Sequence, residues 1–199
     1  MVAVDGDIDA AEASPEAARE AGVPVIALKT EALDPVITGH IVDTAIQRVW
    51  QIDILVNNTS RLDDVSAEGG TDWTATMAVN REASHRFAWS VLPGMRKRRT
   101  GMIVTAAWCW GDGGDPAEPL ARDTSGAVVA QLTGGLAASA AADGIACYAL
   151  LPRPGGGDAG PRLVTAGNGS TTMADIDAPP EQVAEWVTLL AGGPHLPMP

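Results

Sequence analysis

Apolar residues follow two rhythms along this chain. Short runs with little polar alternation occur at Val23 to Leu28, at Ile52, Ile54, Leu55 and Val56, at Met102 to Val104, and at Ile145 to Leu150. Runs like these fit strands covered on both faces, the kind found in the middle of a parallel sheet. Periodicity alone does not separate them from buried helical turns. The segments between them do, because those carry the longer, helical spacing. Val36, Ile37, Ile41, Val42, Ala45, Ile46 and Val49 recur at that spacing behind Asp34-Pro35, an N-cap followed by a proline in the first turn. Further helices are expected over Asp9 to Ala21, with Gly22 as its stop, and from Thr71 or Asp72 to about Arg98. Pro93-Gly94 should kink that long helix or end it early. Arg122 to Ala142, rich in small residues, and Pro179-Pro180 to Leu190 complete the set, while Met1 to Asp5 is a short apolar segment ending in acid. The stretches 61–70, 108–120 and 152–177 read as loops. Strands alternating with helices predict an α/β fold, a doubly wound, Rossmann-like parallel sheet of about five to six strands with helices on both faces.

Composition narrows the class. A chain of 199 residues with 46% apolar content forms one domain, here with a loop-rich lid or substrate region at 152–178 and a tail at 192–199. No stretch reaches the roughly 18 uninterrupted apolar residues of a membrane span. The start, MVAVDGDID, is acidic and lacks the basic region of a secretory signal, so a cytoplasmic location is expected. A net charge of −12 argues against nucleic acid and anionic membrane surfaces. The one basic cluster, Arg96 to Arg99, ends a predicted helix, where cations complement the helix dipole; a phosphate site is the weaker alternative. Cys109 and Cys147 lie too far apart for a metal knuckle and read as buried thiols in a reducing compartment. His40, His85 and His195 show no metal-ligand spacing, and no metal is expected.

Several stretches then resemble one family. Asp53-Ile54-Leu55-Val56-Asn57-Asn58 is similar to a DILVNNAG motif, with Thr59-Ser60 replacing its last two residues. Asp72-Trp73 followed by Val79-Asn80, then Leu92-Pro93 and Met95, then Gly101 to Val104, continue the match. Ser125 to Ala137 and Pro179-Pro180-Glu181 with Val183-Ala184 extend it. Together they resemble the short-chain dehydrogenase/reductases. The resemblance implies a mid-sheet first strand with a Gly-rich turn that approaches a dinucleotide pyrophosphate. It also implies a Tyr acid/base, a Lys that lowers its pKa, a Ser that polarises a carbonyl, and an Asn in a water relay. This sequence departs from all but one of these. It begins where the family's second strand would be, so its first strand–helix unit is missing and no G-x-x-x-G-x-G occurs. The Ser position falls on Trp108, the Tyr position on Arg122 and the Lys position on Gly126; only Asn80 matches. A turn that packs the nicotinamide in the family reads Pro152-Arg153 here. Arginine stays protonated near neutrality and cannot act as the acid/base. Glycine brings no charge. Hydride transfer of the family type, and a nicotinamide cofactor, are therefore not expected. Met1 to Asp5 is expected to pair beside Ile52 to Asn58, closing the sheet where the first strand would lie; a strand from a partner chain is the alternative.

A rebuilt site is expected at the C-terminal ends of the strands, where open α/β sheets bind ligands. Its candidate catalytic residues are Asn80, Asp112, Asp115, Arg122 and Asp123, a set holding acid/base carboxylates and a cation for a developing oxyanion. Trp108, Cys109, Trp110 and Arg153 would form the substrate pocket, the indoles walling an aromatic ligand. The plain alternative is that the acids solvate a Gly-rich loop and the tryptophans plug the vacated cavity. Three functions remain open. One is a cofactor-independent cyclase, dehydratase or isomerase acting on a small aromatic or polyketide-derived metabolite of secondary metabolism. Another is a non-catalytic subunit pairing, as homodimer or hetero-oligomer, through helices 71–98 and 122–142. The third is an unorthodox NAD(P)-dependent oxidoreductase, with Asp5 or Asp7 near the adenosine ribose.

Overall fold

The computed structural model describes residues 1–5, 8–13, 19–20, 22, 24–29, 35–58, 82–106, 118–151, 162–167 and 170–175. Each short apolar run within them is a strand. Val2–Asp5 (β1) precedes a short helix, Ile8–Ala13 (α1), and Ile26–Lys29 (β2) follows. Pro35–Val49 (α2) leads to Ile54–Asn57 (β3), and Ser84–Arg98 (α3) leads to Gly101–Ala106 (β4). Glu118–Ala140 (α4) ends in a 3-10 turn, Ala141–Asp143, before Ile145–Leu151 (β5). Arg162–Gly167 (β6) and Ser170–Asp175 (β7) complete the described set. The fold is the α/β, Rossmann-like one that the rhythm predicts.

Two features of the sheet differ from expectation. First, β1 does not lie beside β3. It pairs in parallel with β2, Val2 opposite Ile26 and Asp5 opposite Lys29, in a two-stranded sheet of its own. The register is set at the start of the chain. The Met1 ammonium donates to the Pro24 carbonyl at 2.6 Å, and the Ile26 amide donates to the Met1 carbonyl at 3.0 Å. Second, the stretch expected as loop contains two strands. β6 and β7 pair with each other in antiparallel fashion, and β6 lies antiparallel to β5. Leu163, Val164 and Thr165 face Ala174, Met173 and Thr172, and β-branched residues suit such a pleated surface. The larger sheet thus runs β3-β4-β5-β6-β7, parallel from β3 to β5 and antiparallel beyond.

One face of that sheet is packed by α2, α3 and α4. Ile41 and Val42 of α2, Leu92 and Met95 of α3, Ile103 of β4 and Cys147 of β5 share a single cluster with Ala137 and Ala140 of α4. Leu92, Met95 and Ile103 are at most 1% exposed, and each such side chain contributes roughly 2 kcal/mol by leaving water. Leu28 of β2 and Leu55 of β3 pack against this cluster, so the small sheet shares the core of the large one. No helix among the described residues is long and apolar enough to cross a membrane.

Pro93 neither ends α3 nor shortens it; the helix runs on to Arg98. The proline is exposed, while Leu92 and Met95 on the other side are fully buried. The hydrogen bond lost to the imino nitrogen therefore falls on the wet side, and core packing holds the last turns. Arg99 closes the helix in the left-handed region, its amide donating to the Arg96 carbonyl at 3.1 Å. The basic cluster is engaged in the fold. Arg96 donates to Asp143 at 3.0 Å and to the Ser139 carbonyl at 3.2 Å, and Arg99 donates to the Ala142 carbonyl at 2.8 Å. These cations serve the C-terminal end of α4 as well as that of their own helix. Arg98 donates to the Ile52 carbonyl at 2.7 Å, fixing the entry to β3.

Candidate functional site

β3, β4 and β5 run parallel, so their C-terminal ends, Asn57, Ala106 and Leu151, lie along one edge of the sheet. There Asn57 is 4% exposed. Its side-chain amide donates to the Ser84 carbonyl at 3.1 Å and to Thr105 Oγ1 at 3.5 Å. One buried amide thus joins the end of β3, the first residue of α3 and the end of β4. The role is that of a strand-end hydrogen-bonding device, and it leaves Asn57 no free donor to offer a ligand in that direction.

Beside it, α3 and α4 leave a small open hollow of about 20 Å³, lined by Ser84, His85, Ala88, Thr105, Val129, Leu132, Thr133 and Leu136. Its lining combines three buried hydroxyl residues, Ser84, Thr105 and Thr133, with aliphatic side chains. His85 is on the exposed rim, its ring 5.8 Å from that of Trp89 in an edge-on arrangement. Sequence reasoning passed over Ser84, Thr105 and Thr133. They occupy ordinary positions in apolar segments, and only the pairing of distant elements brings them together.

Few of the expected site residues are among those described. Asn80, Trp108, Cys109, Trp110, Asp112, Asp115 and Arg153 lie outside the described residues. Arg122 and Asp123 lie in the first turns of α4. Gly126 is one turn further on in the same helix, so Arg122 and Gly126 hold the i and i+4 positions that share a helix face. The chain leaves β4 at Ala106, two residues before Trp108. Among the described residues no three His, Cys, Asp or Glu side chains converge as a metal site.

Two further reactive groups among the described residues lie on β5. Cys147 is a free, buried thiol, and burial pushes it from its ordinary 9.0 up to about 12, so it stays neutral. Tyr148, the sole tyrosine, lies on β5, where burial and then the neighbouring Cys147 raise its phenol further above its ordinary value.

The short chain dehydrogenase family model matches residues 1–158. The chain belongs to this family. Solved structures of short-chain dehydrogenases share its fold. A hydroxysteroid dehydrogenase from Escherichia coli superposes with a TM-score of 0.61 at 22% identity, covering 76% of this chain and 59% of that one. A short-chain dehydrogenase from Streptomyces avermitilis gives 0.59 at 22%, with 72% and 52% covered. An actinorhodin polyketide ketoreductase, solved with NADPH, gives 0.66 at 24%, with 76% and 59% covered. The peroxisomal hydratase-dehydrogenase-epimerase of Neurospora crassa is 33% identical over 69 residues, 34% of this chain and 8% of that protein. The chain thus spans a little over half the length of the solved short-chain dehydrogenases it superposes on.

Members of this family use a nicotinamide cofactor with a Tyr–Lys pair, and the described residues do not fit that pair. Tyr148 lies in the body of a strand, its phenol raised above its ordinary value by burial and then by Cys147. The two lysines of the chain, Lys29 and Lys97, do not sit beside it. Lys97 lies at the C-terminal end of α3, next to the start of β4 and so at the far end of the sheet from Asn57 and Ala106. Lys29 ends β2 in the separate two-stranded sheet.

Proposed function

We propose that this short-chain dehydrogenase carries a chemistry other than family-type hydride transfer. It would act without a nicotinamide cofactor, as a cyclase, dehydratase or isomerase on a small aromatic or polyketide-derived metabolite. The observation that supports this reading is the i, i+4 pair on α4, which is Arg122 and Gly126 rather than an acid/base and its lysine. In this reading Asp112, Asp115 and Asp123 supply carboxylates, and Arg122 and Asn80 steady the charge that develops on the substrate. Trp108, Cys109, Trp110 and Arg153 form the wall of the pocket. A reducing compartment such as the cytoplasm suits the free Cys147 thiol.

Calorimetric titration with NADH and NADPH tests the reading first. No heat of binding is expected; micromolar binding would return the chain to the oxidoreductases. Quenching of tryptophan fluorescence by aromatic polyketide-like ligands should follow, and failure of all of them would sink the enzyme reading.

A second reading is favoured by the α3–α4 surface. Trp89 is 45% exposed there beside His85, and a Cβ placed on Gly135 meets nothing within 4 Å. A non-catalytic subunit would pair with a second chain across these helices. Gly135→Arg fills open space, so it should keep the fold while halving the mass seen by light scattering. An unchanged mass would count against this reading.

A further inference from the structure

The hollow between α3 and α4 is lined by two buried hydroxyls whose hydrogen-bonding capacity the described residues do not fully meet. Thr133, on α4, is 5% exposed. A helical hydroxyl is ordinarily satisfied by its own helix, as Ser139 is by donating to the Leu136 carbonyl at 2.9 Å. No such bond engages Thr133, and neither does any other partner among the described residues. Its oxygen is not sealed in either. Among the described residues, Arg98 Nε is the one buried side-chain atom closed off from solvent without a partner. The Thr133 hydroxyl therefore faces the hollow that it lines. Thr105, 7% exposed, lines the same hollow from β4. Its Oγ1 accepts from the Asn57 amide at 3.5 Å, so its own proton has still to find an acceptor. No direct bond joins the two hydroxyls.

We propose that this hollow is the seat of one ordered water molecule, which accepts the Thr105 proton and bonds to the Thr133 hydroxyl. Size selects the ligand. A water needs roughly 10–15 Å³, and the hollow offers about 20 Å³. Chemistry selects it too. The hydroxyls supply two of the roughly two to four bonds that a buried water makes. An apolar guest would leave both unpaired. An ion would find no counter-charge, since the one ionisable side chain in the lining is His85 on the rim. The result is a hydrogen-bonded chain from the Asn57 amide through Thr105 and the water to Thr133. Such a bridge is nearly as good as a direct bond. α4 packs chiefly on β5 and β6, so the chain gives it a polar tie to β4 and, through Asn57, to the end of β3.

The experiment is a crystal structure of the full chain, paired with water-oxygen relaxation dispersion, which counts long-residence waters in solution. The wild-type crystal should show one peak within about 2.6–3.1 Å of both Thr105 Oγ1 and Thr133 Oγ1. Thr133→Val keeps the shape of the side chain and removes the hydroxyl. It should lose that peak and one long-residence water from the dispersion. Thr133→Ser keeps the hydroxyl and should retain both signals, and it decides the matter if the valine variant does not fold. Four results would overturn the proposal. One is no peak in the wild type. Another is a Thr133 hydroxyl turned onto the Val129 carbonyl, one helical turn back. A third is a peak and a dispersion unchanged in Thr133→Val, which would assign the water to other groups. The last is a side chain from a second copy of the chain filling the hollow, which would favour pairing across α3 and α4 instead.

Discussion

Gly144 shows how one backbone position holds two elements together. It lies at φ +73°, and a Cβ there would stand 2.6 Å from the Arg99 carbonyl oxygen. Both the left-handed conformation and the close approach of the α3–β4 turn require glycine. Gly144→Ala should cost about 1–3 kcal/mol in urea unfolding. Gly135→Ala, with open space around it in α4, should be neutral or stabilise by up to about 1 kcal/mol. Equal effects would mean that the turn relaxes. Cys147 makes a second prediction at this scale. Its thiol rises from 9.0 to about 12 on folding, so the unfolded chain releases that proton first as pH climbs. Below pH 9 the contribution is constant; between pH 9 and pH 12 stability should fall by up to about 1.4 kcal/mol per pH unit from this group. Tyr148, also raised, adds loss of the same sign toward higher pH. Cys147→Ala should flatten the curve above pH 9. An unchanged slope would assign the alkaline loss elsewhere.

At the scale of elements, the helices exchange services at their ends. Arg96 of α3 reaches Asp143 and the Ser139 carbonyl, and its guanidinium lies 6.0 Å from the Trp89 ring. Both charged side chains are about a third exposed, so the pair is worth less than a buried one. Arg96→Ala should lower thermal stability by the equivalent of about 1 kcal/mol, with a smaller loss in molar salt. A loss unaffected by salt would point to packing of the arginine stem instead. The elements themselves differ in how openly the chain announces them. The continuous runs at Ile54 to Val56, Met102 to Val104 and Ile145 to Leu150 are strands as expected; in β4 Ile103 to Ala106 are all buried and need no alternation, whereas Ile54 and Val56 of β3 are half-exposed. The β6–β7 hairpin lies in a stretch whose prolines and glycines read as loop, although Asn168-Gly169, between Leu163–Val164–Thr165 and Thr171–Thr172, is a strong hairpin signal. Pro93 does not end α3, since propensity gives way to packing where Leu92 and Met95 are fully buried. The site was legible only as a set of residue identities. Asn57 finds its partners 27 and 48 residues away, a juxtaposition that no local pattern encodes.

At the scale of the whole molecule, the division into two sheets sets how stability is distributed. β1 and β2 form a two-stranded sheet, a size that is marginal by itself in water. It leans on the main core through Leu28, while Ala27, Ile26 and the β1 residues Val2 and Ala3 remain partly exposed. β4 stands at the other extreme, between two parallel neighbours, with Ile103 to Ala106 all buried. Contacts this unequal favour sub-global opening over a single transition. The Ile26 amide, bonded to the Met1 carbonyl, should therefore exchange through an opening that costs less than the one exposing the Ile103–Cys147 region of the central ladder. Under native conditions we expect the Ile26 amide to be less protected by about ten-fold or more, roughly 1.4 kcal/mol or greater in opening free energy. The gap should close as urea drives both amides to exchange through global unfolding. Equal protection from the outset would show that Leu28 alone couples the small sheet to the core as one cooperative unit, and the divided sheet would then be a matter of strand pairing without consequence for stability.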